Sequence, residues 1–327
     1  MKTKAIVFSK VNSPELEEFE VPGIKPNEIL VKIDYSGISI GTERSIITGE
    51  RTSNGTFPLV PGYMASGTVL EAGSSVNKFK PGDKVCGAGN RIETEINSVW
   101  GAQSSLQVLQ EANCCRIPKG VPMKHAAIFV LPGVGLNAAS MAGITEQDTV
   151  LISGQGLIGN FFGQWCRARG AKVIAIEPDS IRADISRQYV TEHVLNPFDD
   201  NLAEQIAEIS EGNVNVVAEA TANKNLISNA SRFLDMNQDS KMVFLSWYDG
   251  EISLNYANFH NNQVTAYFPT GSGNNASSQA VLQGFASGCL KADAMIKSVS
   301  PVEALDIYKK ICAGDNSLLA ITINWKE

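Results

Sequence analysis

A chain of 327 residues, 43% hydrophobic and 19% charged, has the composition of a globular protein and suits two lobes better than one core. Its formal net charge is −7 and it holds no run of Lys and Arg, which argues against nucleic acid and anionic membrane as partners. Its six cysteines are scattered without a CxxC pair, so they give no disulfide framework and suit a reducing cytoplasm.

The N-terminus, MKTKAIVFSK, has too short an apolar run for a signal peptide. From there to about residue 121 the pattern is short strands, as at Ala5–Phe8, Ile29–Tyr35, Ser66–Glu71 and Leu106–Leu109. Turns fall at Pro22-Gly23, Pro61-Gly62 and Pro81-Gly82, so this part reads as an all-β, barrel-like lobe. Adjacent Cys114-Cys115 read as strand residues pointing to opposite faces, not as metal ligands. Ala126–Thr145 is uncharged and long enough to invite a membrane reading, but Pro132, Gly133, Gly135, Asn137 and Ser140 keep its hydropathy modest; a buried hinge and helix is expected. From about residue 122 strands alternate with helices. Val150–Ile152 and Val173–Ile176 lead, followed by His193–Leu195, a helix near Leu202–Ile209, Val214–Glu219, a helix near Asn225–Leu234, Met242–Leu245 and Val264–Phe268. Six strands with helices between make a doubly wound parallel sheet, so the fold class is α/β. The tail beyond about 289 holds a helix near Val302–Ala313 and the apolar strand Leu318–Ile323. The expected domains are 1–121 with 289–327, and 122–288.

Residues 149–182 carry the most informative pattern. The strand Val150-Leu151-Ile152 runs into Gly154-Gln155-Gly156-Leu157-Ile158-Gly159, then an amphipathic segment, then Val173-Ile174-Ala175-Ile176 and Glu177. Gly154 permits the tight turn, Gly156 lets the backbone approach a pyrophosphate, and Gly159 lets helix and strand pack closely. N–H groups at the helix start, Leu157 and Ile158 among them, hold the diphosphate. Glu177 lies roughly 20 residues beyond the glycines, where a carboxylate takes ribose hydroxyls. The pattern reads as a dinucleotide site.

Four blocks in the first lobe stand beside that motif: Ser36-Gly37-Ile38-Ser39-Ile40-Gly41-Thr42-Glu43, Pro58-Leu59-Val60-Pro61-Gly62-Tyr63, Gly67-Thr68-Val69-Leu70-Glu71-Ala72-Gly73 and Phe79-Lys80-Pro81-Gly82-Asp83-Lys84-Val85. In order and spacing the chain resembles the medium-chain dehydrogenase/reductase superfamily. The resemblance implies a GroES-like β lobe for 1–121 with 289–327, a Rossmann lobe for 122–288, an active site in the cleft between them, and a C-terminal tail that returns to the β lobe. The first two blocks and the terminal Leu318–Trp325 look most like the bacteriochlorophyllide a hydroxyethyl dehydrogenase group, which implies oxidation of a secondary alcohol to a ketone.

The departures from the family pattern concern metal. Zinc-dependent members place a Cys in the first block, a His-Glu pair in the second and a third ligand at the start of the second domain. Here those positions hold Ile40, Tyr63, Met64 and, near the third, Leu131. A slip of one register would put Ser39 at the Cys position. None of these makes a Cys, His and carboxylate site. The closely spaced four-cysteine lobe that holds a structural zinc in many relatives is also absent. No zinc is expected.

Without a metal, a side chain must manage the hydroxyl proton and the developing oxyanion. Tyr63, at the histidine position, is the first candidate; its phenol, ordinarily near a pKa of about 10, would be lowered by a cationic nicotinamide ring. Alternatively it fills the volume zinc left. Thr42 matches the small hydroxyl residue that relays the substrate proton in zinc members, or it caps a helix. Glu43 is a general base if the cleft raises its pKa, or it pairs at the surface with Arg44 or Arg51; a structural or supporting role is favoured. Ile40, Trp100 and Leu131 are expected to line the substrate cleft, Trp100 either as packing or as substrate contact. His125 reads as a satisfied buried histidine, and His260, after Tyr256-Ala257-Asn258-Phe259, as a residue at a subunit contact.

Glu177 repels the extra phosphate of NADP, so NAD is expected over NADP, while Arg182 stacks on adenine or tolerates a phosphate. By resemblance Ser246 and Phe268 contact the nicotinamide amide, and Thr221 lies at the same carboxyl edge of the sheet. The leading reading is a zinc-free, NAD-dependent secondary-alcohol dehydrogenase acting on a small molecule. The others are a zinc-free NAD(P)H-dependent enone or quinone reductase, and a non-catalytic dinucleotide-sensing protein. Val264–Phe268 would be an exposed edge if unpaired, so a homodimer is expected.

Overall fold

Apolar side chains on both faces of the first strand, β1 (Lys2–Phe8), set the layout of the β-rich part of the chain. Ile6 and Phe8 enter the main core, whereas Ala5 and Val7 join Val60 in a second cluster. A strand buried on both faces needs cover on both sides. Along its length β1 pairs antiparallel with β2 (Pro14–Glu20), which turns its glutamates to water. The computed structural model describes residues 1–50, 56–227, 232–233, 240–248, 250–315 and 317–326. They divide into two compact units, one of Met1–Phe129, Ser278–Ala286 and Ala292–Glu327, the other of Val130–Ser277 and Ser287–Lys291.

In the first unit, β3 (Glu28–Ile38) is the hub. It leads directly into α1 (Ile40–Ile47), and it pairs antiparallel with β5 (Ala65–Ala72) and β8 (Leu106–Gln110). The short strands β4 (Leu59–Val60) and β7 (Asn97–Ser98) complete a four-stranded sheet in the order β2-β1-β4-β7. The other sheet continues from β5 through β6 (Lys84–Gly87) to β9 (Cys114–Arg116). On β9, Cys114 joins the main core while Cys115 meets Ser278 and Gln279, so the two thiols do face opposite ways. The C-terminal segment returns to this unit. Its strand β17 (Ala320–Asn324) pairs antiparallel with β3 and parallel with β16 (Ile296–Val299). Between them α9 (Pro301–Cys312) starts from a Ser300–Glu303 capping box with proline in its first turn. It buries Ala304, Ile307, Tyr308 and Ile311. The Tyr308 ring meets Phe8 edge-on, centroids 5.2 Å apart at 83°, a contact worth about 0.5–1.5 kcal/mol beyond burial.

The stretch Ala126–Thr145 folds as the end of α2 (Met123–Ala126) and as α3 (Val130–Met141), with Leu131, Pro132, Gly133 and Gly135 buried. Among the described residues no helix is long and apolar enough to cross a membrane.

The second unit is a six-stranded parallel sheet. Its strands are β10 (Thr149–Ser153), β11 (Lys172–Ile176), β12 (Val194–Leu195), β13 (Val216–Glu219), β14 (Lys241–Phe244) and β15 (Thr265–Tyr267). Their spatial order β12-β11-β10-β13-β14-β15 is the doubly wound 3-2-1-4-5-6 arrangement. Every residue of β10 is buried, as a central parallel strand requires. The helices are α4 (Leu157–Ala168), α5 (Ser180–Tyr189), α6 (Leu202–Ser210) and α7 (Tyr256–Asn261), followed by α8 (Asn275–Ser287), which spans the boundary between the units. Of the helix expected near Asn225–Leu234, residues 228–231 and 234 lie outside the described residues. The edge strand β15 is paired on one side only, and Thr265 and Ala266 are exposed.

Candidate active site

The chain reversal after β10 is built for a diphosphate. Gly154 sits at φ +92°, in the left-handed region, and a Cβ there would come within 2.9 Å of Thr221 Cγ2. A Cβ on Gly159 would lie 2.1 Å from the Gly154 carbonyl oxygen, so only glycine lets α4 begin this close to the strand. Beside Gly156 a Cβ would meet nothing within 4 Å, so the backbone there opens onto free space. Gly156 is also the N-cap of α4 and brings no side-chain cap bond, which leaves the first-turn N–H groups, those of Leu157 and Ile158 included, without a side-chain partner at the positive end of the helix.

Glu177 ends β11 beside this loop and is only 6% exposed. Its Oε2 accepts the Gln155 N–H at 2.7 Å and its Oε1 the Asp179 N–H at 3.0 Å. The acid therefore braces the glycine loop, a role the sequence did not disclose, and each oxygen keeps lone-pair capacity for a ribose hydroxyl. Arg182 lies in the first turn of α5, where its N–H caps onto Asp179 Oδ1 at 2.9 Å. These residues fit a dinucleotide.

The switch in strand order falls between β10 and β13, and the end of β13 holds a residue that sequence reasoning missed. Glu219 is fully buried, and burial raises its pKa. Its Oε1 accepts both the N–H and the hydroxyl of Thr221, while Oε2 has no partner among the described residues. Ser246 Oγ accepts the Ala222 N–H at 3.0 Å, and Ala222 has φ +60°. Phe268 is exposed and stacks on Phe244, centroids 4.7 Å apart at 2°.

The first unit assembles a second, hydroxyl-rich cluster. Tyr63, in the loop between β4 and β5, is half-buried and donates its hydroxyl to Ser39 Oγ at 2.5 Å. Thr42 also interacts with the Tyr63 hydroxyl, and the Trp100 ring meets Tyr63 edge-on, centroids 5.5 Å apart. Trp100 is 39% exposed and sits at φ +61°. Thr42 is not a cap: β3 runs to Ile38 and α1 begins at Ile40, which makes Ser39 the N-cap and Thr42 a residue of the first turn. Ile40 packs against the main core, and Leu131 is a buried residue of α3 in the other unit.

Glu43 overturns its surface reading. It is 0% exposed, Arg44 faces Glu50 at 3.9 Å instead, and Arg51 lies outside the described residues. Its Oε1 accepts the Ser39 N–H at 2.8 Å, its Oε2 the Tyr308 hydroxyl at 2.5 Å, and Gln103 Nε2 approaches both oxygens at 3.3 and 3.2 Å. Burial drives its pKa up to about 7 against the pull of these donors. Tyr63 is pushed above its ordinary value, first by burial and then by the Glu43 charge, while Ser39 and Thr42 pull it back. The unliganded environment thus shifts Tyr63 in the direction opposite to that expected from a cationic ring. Gln103 and Tyr308 were invisible in the sequence, since they lie 60 and 265 residues from Glu43, and Ser39 was noted only as an alternative for the Cys position. His125 is the buried, satisfied histidine expected, with Asp293 at 3.1 Å. His260 stacks on Tyr256.

Zinc does not fit this donor set. The positions that carry ligands in zinc-dependent members hold Ile40, Tyr63, Met64 and Leu131, and Met64 is wholly buried. Among the described residues no group of three or more His, Cys, Asp or Glu side chains could hold a metal ion.

Two expectations follow. Gly159→Ala forces the helix start off the Gly154 carbonyl and should raise the Kd for the dinucleotide by about tenfold or more, read by fluorescence titration; unchanged affinity would contradict the cradle. Glu43 binds its proton more tightly folded than unfolded, so the stability this gives is present below about pH 4.5 and lost as pH rises through about 7. Relative to Glu43→Gln, the unaltered protein should lose about 3 kcal/mol of unfolding free energy over that range in urea titrations. A pH-independent difference would refute the buried ionisation.

The family model described as the alcohol dehydrogenase GroES-like domain matches residues 25–119, and that of the zinc-binding dehydrogenases matches residues 158–286. The L-threonine 3-dehydrogenase of Pyrococcus abyssi is 24% identical over 288 residues, spanning 79% of this chain and 80% of that enzyme. A structure from Sinorhizobium meliloti 1021 bound to NADP superposes with a TM-score of 0.85 at 20% identity over 99% of both chains. An alcohol dehydrogenase of Escherichia coli CFT073 complexed with NADH superposes at 0.84 and 18% identity, again over 99% of both. With the glycine cradle, the GroES-like sheets and two family models in the expected order, the chain belongs to the medium-chain dehydrogenase/reductase superfamily of NAD(P)-dependent oxidoreductases.

Proposed function

We propose that this protein interconverts a secondary alcohol and a ketone with NAD, and that it does so without zinc. The observation that carries the reading is the hydrogen-bonded hydroxyl set of Tyr63, Ser39 and Thr42, with Tyr63 at the position where the family resemblance implies a histidine ligand. Bound at the glycine cradle, NAD supplies the hydride acceptor. The chain's own residues do the rest. The Gly154–Gly159 loop and the start of α4 hold the diphosphate, and Glu177 takes the adenosine ribose hydroxyls while its charge disfavours a 2′-phosphate. In reduction Tyr63 gives its proton to the forming alkoxide, and in the reverse direction it is the phenolate so left that takes the hydroxyl proton. Burial keeps the phenol neutral, which suits a group that hydrogen-bonds an alkoxide rather than one that lies ionised beforehand. Thr42 steadies the phenol, and Trp100 packs on its edge and gives the substrate an apolar wall. Substrate oxidation is supported by the likeness to an L-threonine 3-dehydrogenase, whose named substrate is a secondary alcohol.

NADH formation across a panel of secondary alcohols tests this. One or more should be oxidised with NAD preferred over NADP, and Tyr63→Phe should lower kcat by about a hundredfold or more with dinucleotide affinity intact. Silence with every alcohol, together with NADPH-linked reduction of enones or quinones, would assign the protein to the reductases instead. Tight NAD binding with no turnover would make it a sensor.

We also propose a homodimer through the exposed edge strand β15, whose unpaired backbone offers a second copy a place to extend the sheet. Sedimentation equilibrium should give twice the chain mass, and Ala266→Pro should give one; a monomer before substitution would reject this contact.

A further inference from the structure

A second buried acid, Glu219, has no part in the chemistry assigned to Tyr63. It ends β13 in register with Ser153, the last residue of β10, and the glycine loop begins at the next residue, Gly154. Its carboxyl turns toward that end of the sheet. Oε1 accepts the Thr221 N–H at 2.8 Å and the Thr221 hydroxyl as well. Thr221 in turn packs on the loop, its Cγ2 2.9 Å from where a Cβ on Gly154 would stand. With its hydroxyl proton given to the acid, Thr221 Oγ1 meets the Asn223 N–H, at 3.0 Å, as an acceptor. Oε2 of Glu219 has no partner among the described residues, although the side chain is 0% exposed. An ionised oxygen left in that state costs more than a protonated one. The elements packed around Glu219 bring no cation to it. Ser153 on β10 and Phe244 on β14 flank it in the sheet. Helix α4 meets Ala220 at Gly159 and has no titratable side chain before Cys166. The Lys241–Asp148 pair lies at the other end of β14 and β10. Glu177, beyond β10, is held by the Gln155 and Asp179 N–H groups. Lys224, after β13, points its Nζ to within 4.0 Å of the Cβ position of Gly250, and Tyr248 lies against Phe244.

We propose that Glu219 couples dinucleotide binding to proton uptake, its carboxyl taking a proton from solvent on Oε2 when a diphosphate occupies the adjacent glycine loop. The inference rests on dinucleotide binding at that loop and not on which substrate is turned over. A diphosphate brings two negative charges to the loop, and an ionised Glu219 holds another beneath it with only neutral groups between. Like charges in a dry, low-dielectric setting repel strongly, and one proton on Oε2 removes the repulsion. Burial already lifts the acid above its ordinary carboxylate range, and a bound diphosphate lifts it further. The coupling is reciprocal, so protonation tightens binding and binding draws the proton. Affinity is therefore highest where Glu219 is protonated with or without ligand. It falls as pH rises from the pKa of the unliganded protein to that of the complex, and then levels. Glu219 acts on the ligand through Thr221 and through its charge and is a positioning residue.

ADP-ribose is the probe, because it carries the diphosphate without the nicotinamide ring and that diphosphate stays doubly ionised throughout. Its Kd should rise by about threefold or more between about pH 5 and about pH 8. Calorimetry in two buffers of different ionisation heat should show net proton uptake on binding within that range. Glu219→Gln, a neutral mimic of the protonated acid, should bind at every pH with the affinity that the unaltered protein reaches at its acid limit, and should take up no proton. Thr221→Val, which removes a donor to the carboxyl, should move the pH dependence upward. The uptake and the Thr221→Val shift are read in proteins that keep the acid, so they decide the matter even where Glu219→Gln does not fold. Affinity that is indifferent to pH or tightens as pH rises, binding without proton uptake, or a pH dependence that persists in Glu219→Gln would overturn the coupling while the cradle stands. An unaltered protein that binds no ADP-ribose at any pH would overturn the cradle and the coupling together.

Discussion

A carboxylate sealed from water with no cation must be surrounded by donors or surrender its charge. Glu43 is in that position, and much of the β-rich unit is arranged around it. Its donors come from the residue ahead of α1, from the segment before β8 and from α9, while Trp325, just past β17, fixes the orientation of one of them. The C-terminal helix and strand are thus tied to the first third of the chain by polar bonds inside an apolar core. A partner lost from such a network leaves an unmet charge, so the network specifies one arrangement as well as stabilising it. It also places a negative charge behind Tyr63, which helps to keep that phenol protonated.

The two units differed in how openly the sequence declared them, and the reason is the range of the interactions. The glycine loop is local: Gly154, Gly156 and Gly159 lie within one turn of chain, and the strand before them and the acid after them follow at fixed spacing. The strand–helix alternation that follows is a matter of period, and the doubly wound order came out as expected. In the β-rich unit the strands were legible where apolar runs meet Pro-Gly turns. Strand β2 was not, because PELEEFE covers one side of β1 with few apolar residues of its own. Helix α1 was hidden by its shortness and by Thr42, which looks like a cap until β3 is seen to run to Ile38.

The site shows the same division. Tyr63, Thr42, Glu43 and Trp100 were singled out as candidates, and the fold brings Tyr63, Thr42 and Trp100 together. What no pattern could show was the partner set of Glu43, since Gln103 and Tyr308 meet it only through sheet register and helix packing. Placed beside Arg44 in sequence, the acid looked like half of a surface pair; the helix turns the two side chains apart. Likewise Glu177 was expected to face only a ligand, yet it also holds the loop that binds that ligand. Glu219 was read as a strand end, although an acid at the close of a buried parallel strand is itself a signal.

Within a superfamily whose second matching model bears the name of zinc, this chain presents the Tyr63 hydroxyl and apolar side chains at the positions that the resemblance assigns to ligands, with the hydroxyls of Ser39 and Thr42 beside Tyr63. The account rests on those hydroxyls performing the proton chemistry that a Lewis acid would otherwise assist. Element-specific mass spectrometry on the purified enzyme, paired with NAD-linked turnover of its alcohol after exhaustive chelation, tests this most directly. The account predicts transition metal far below one atom per chain with turnover undiminished. A stoichiometric metal whose removal abolishes turnover and whose return restores it would contradict it.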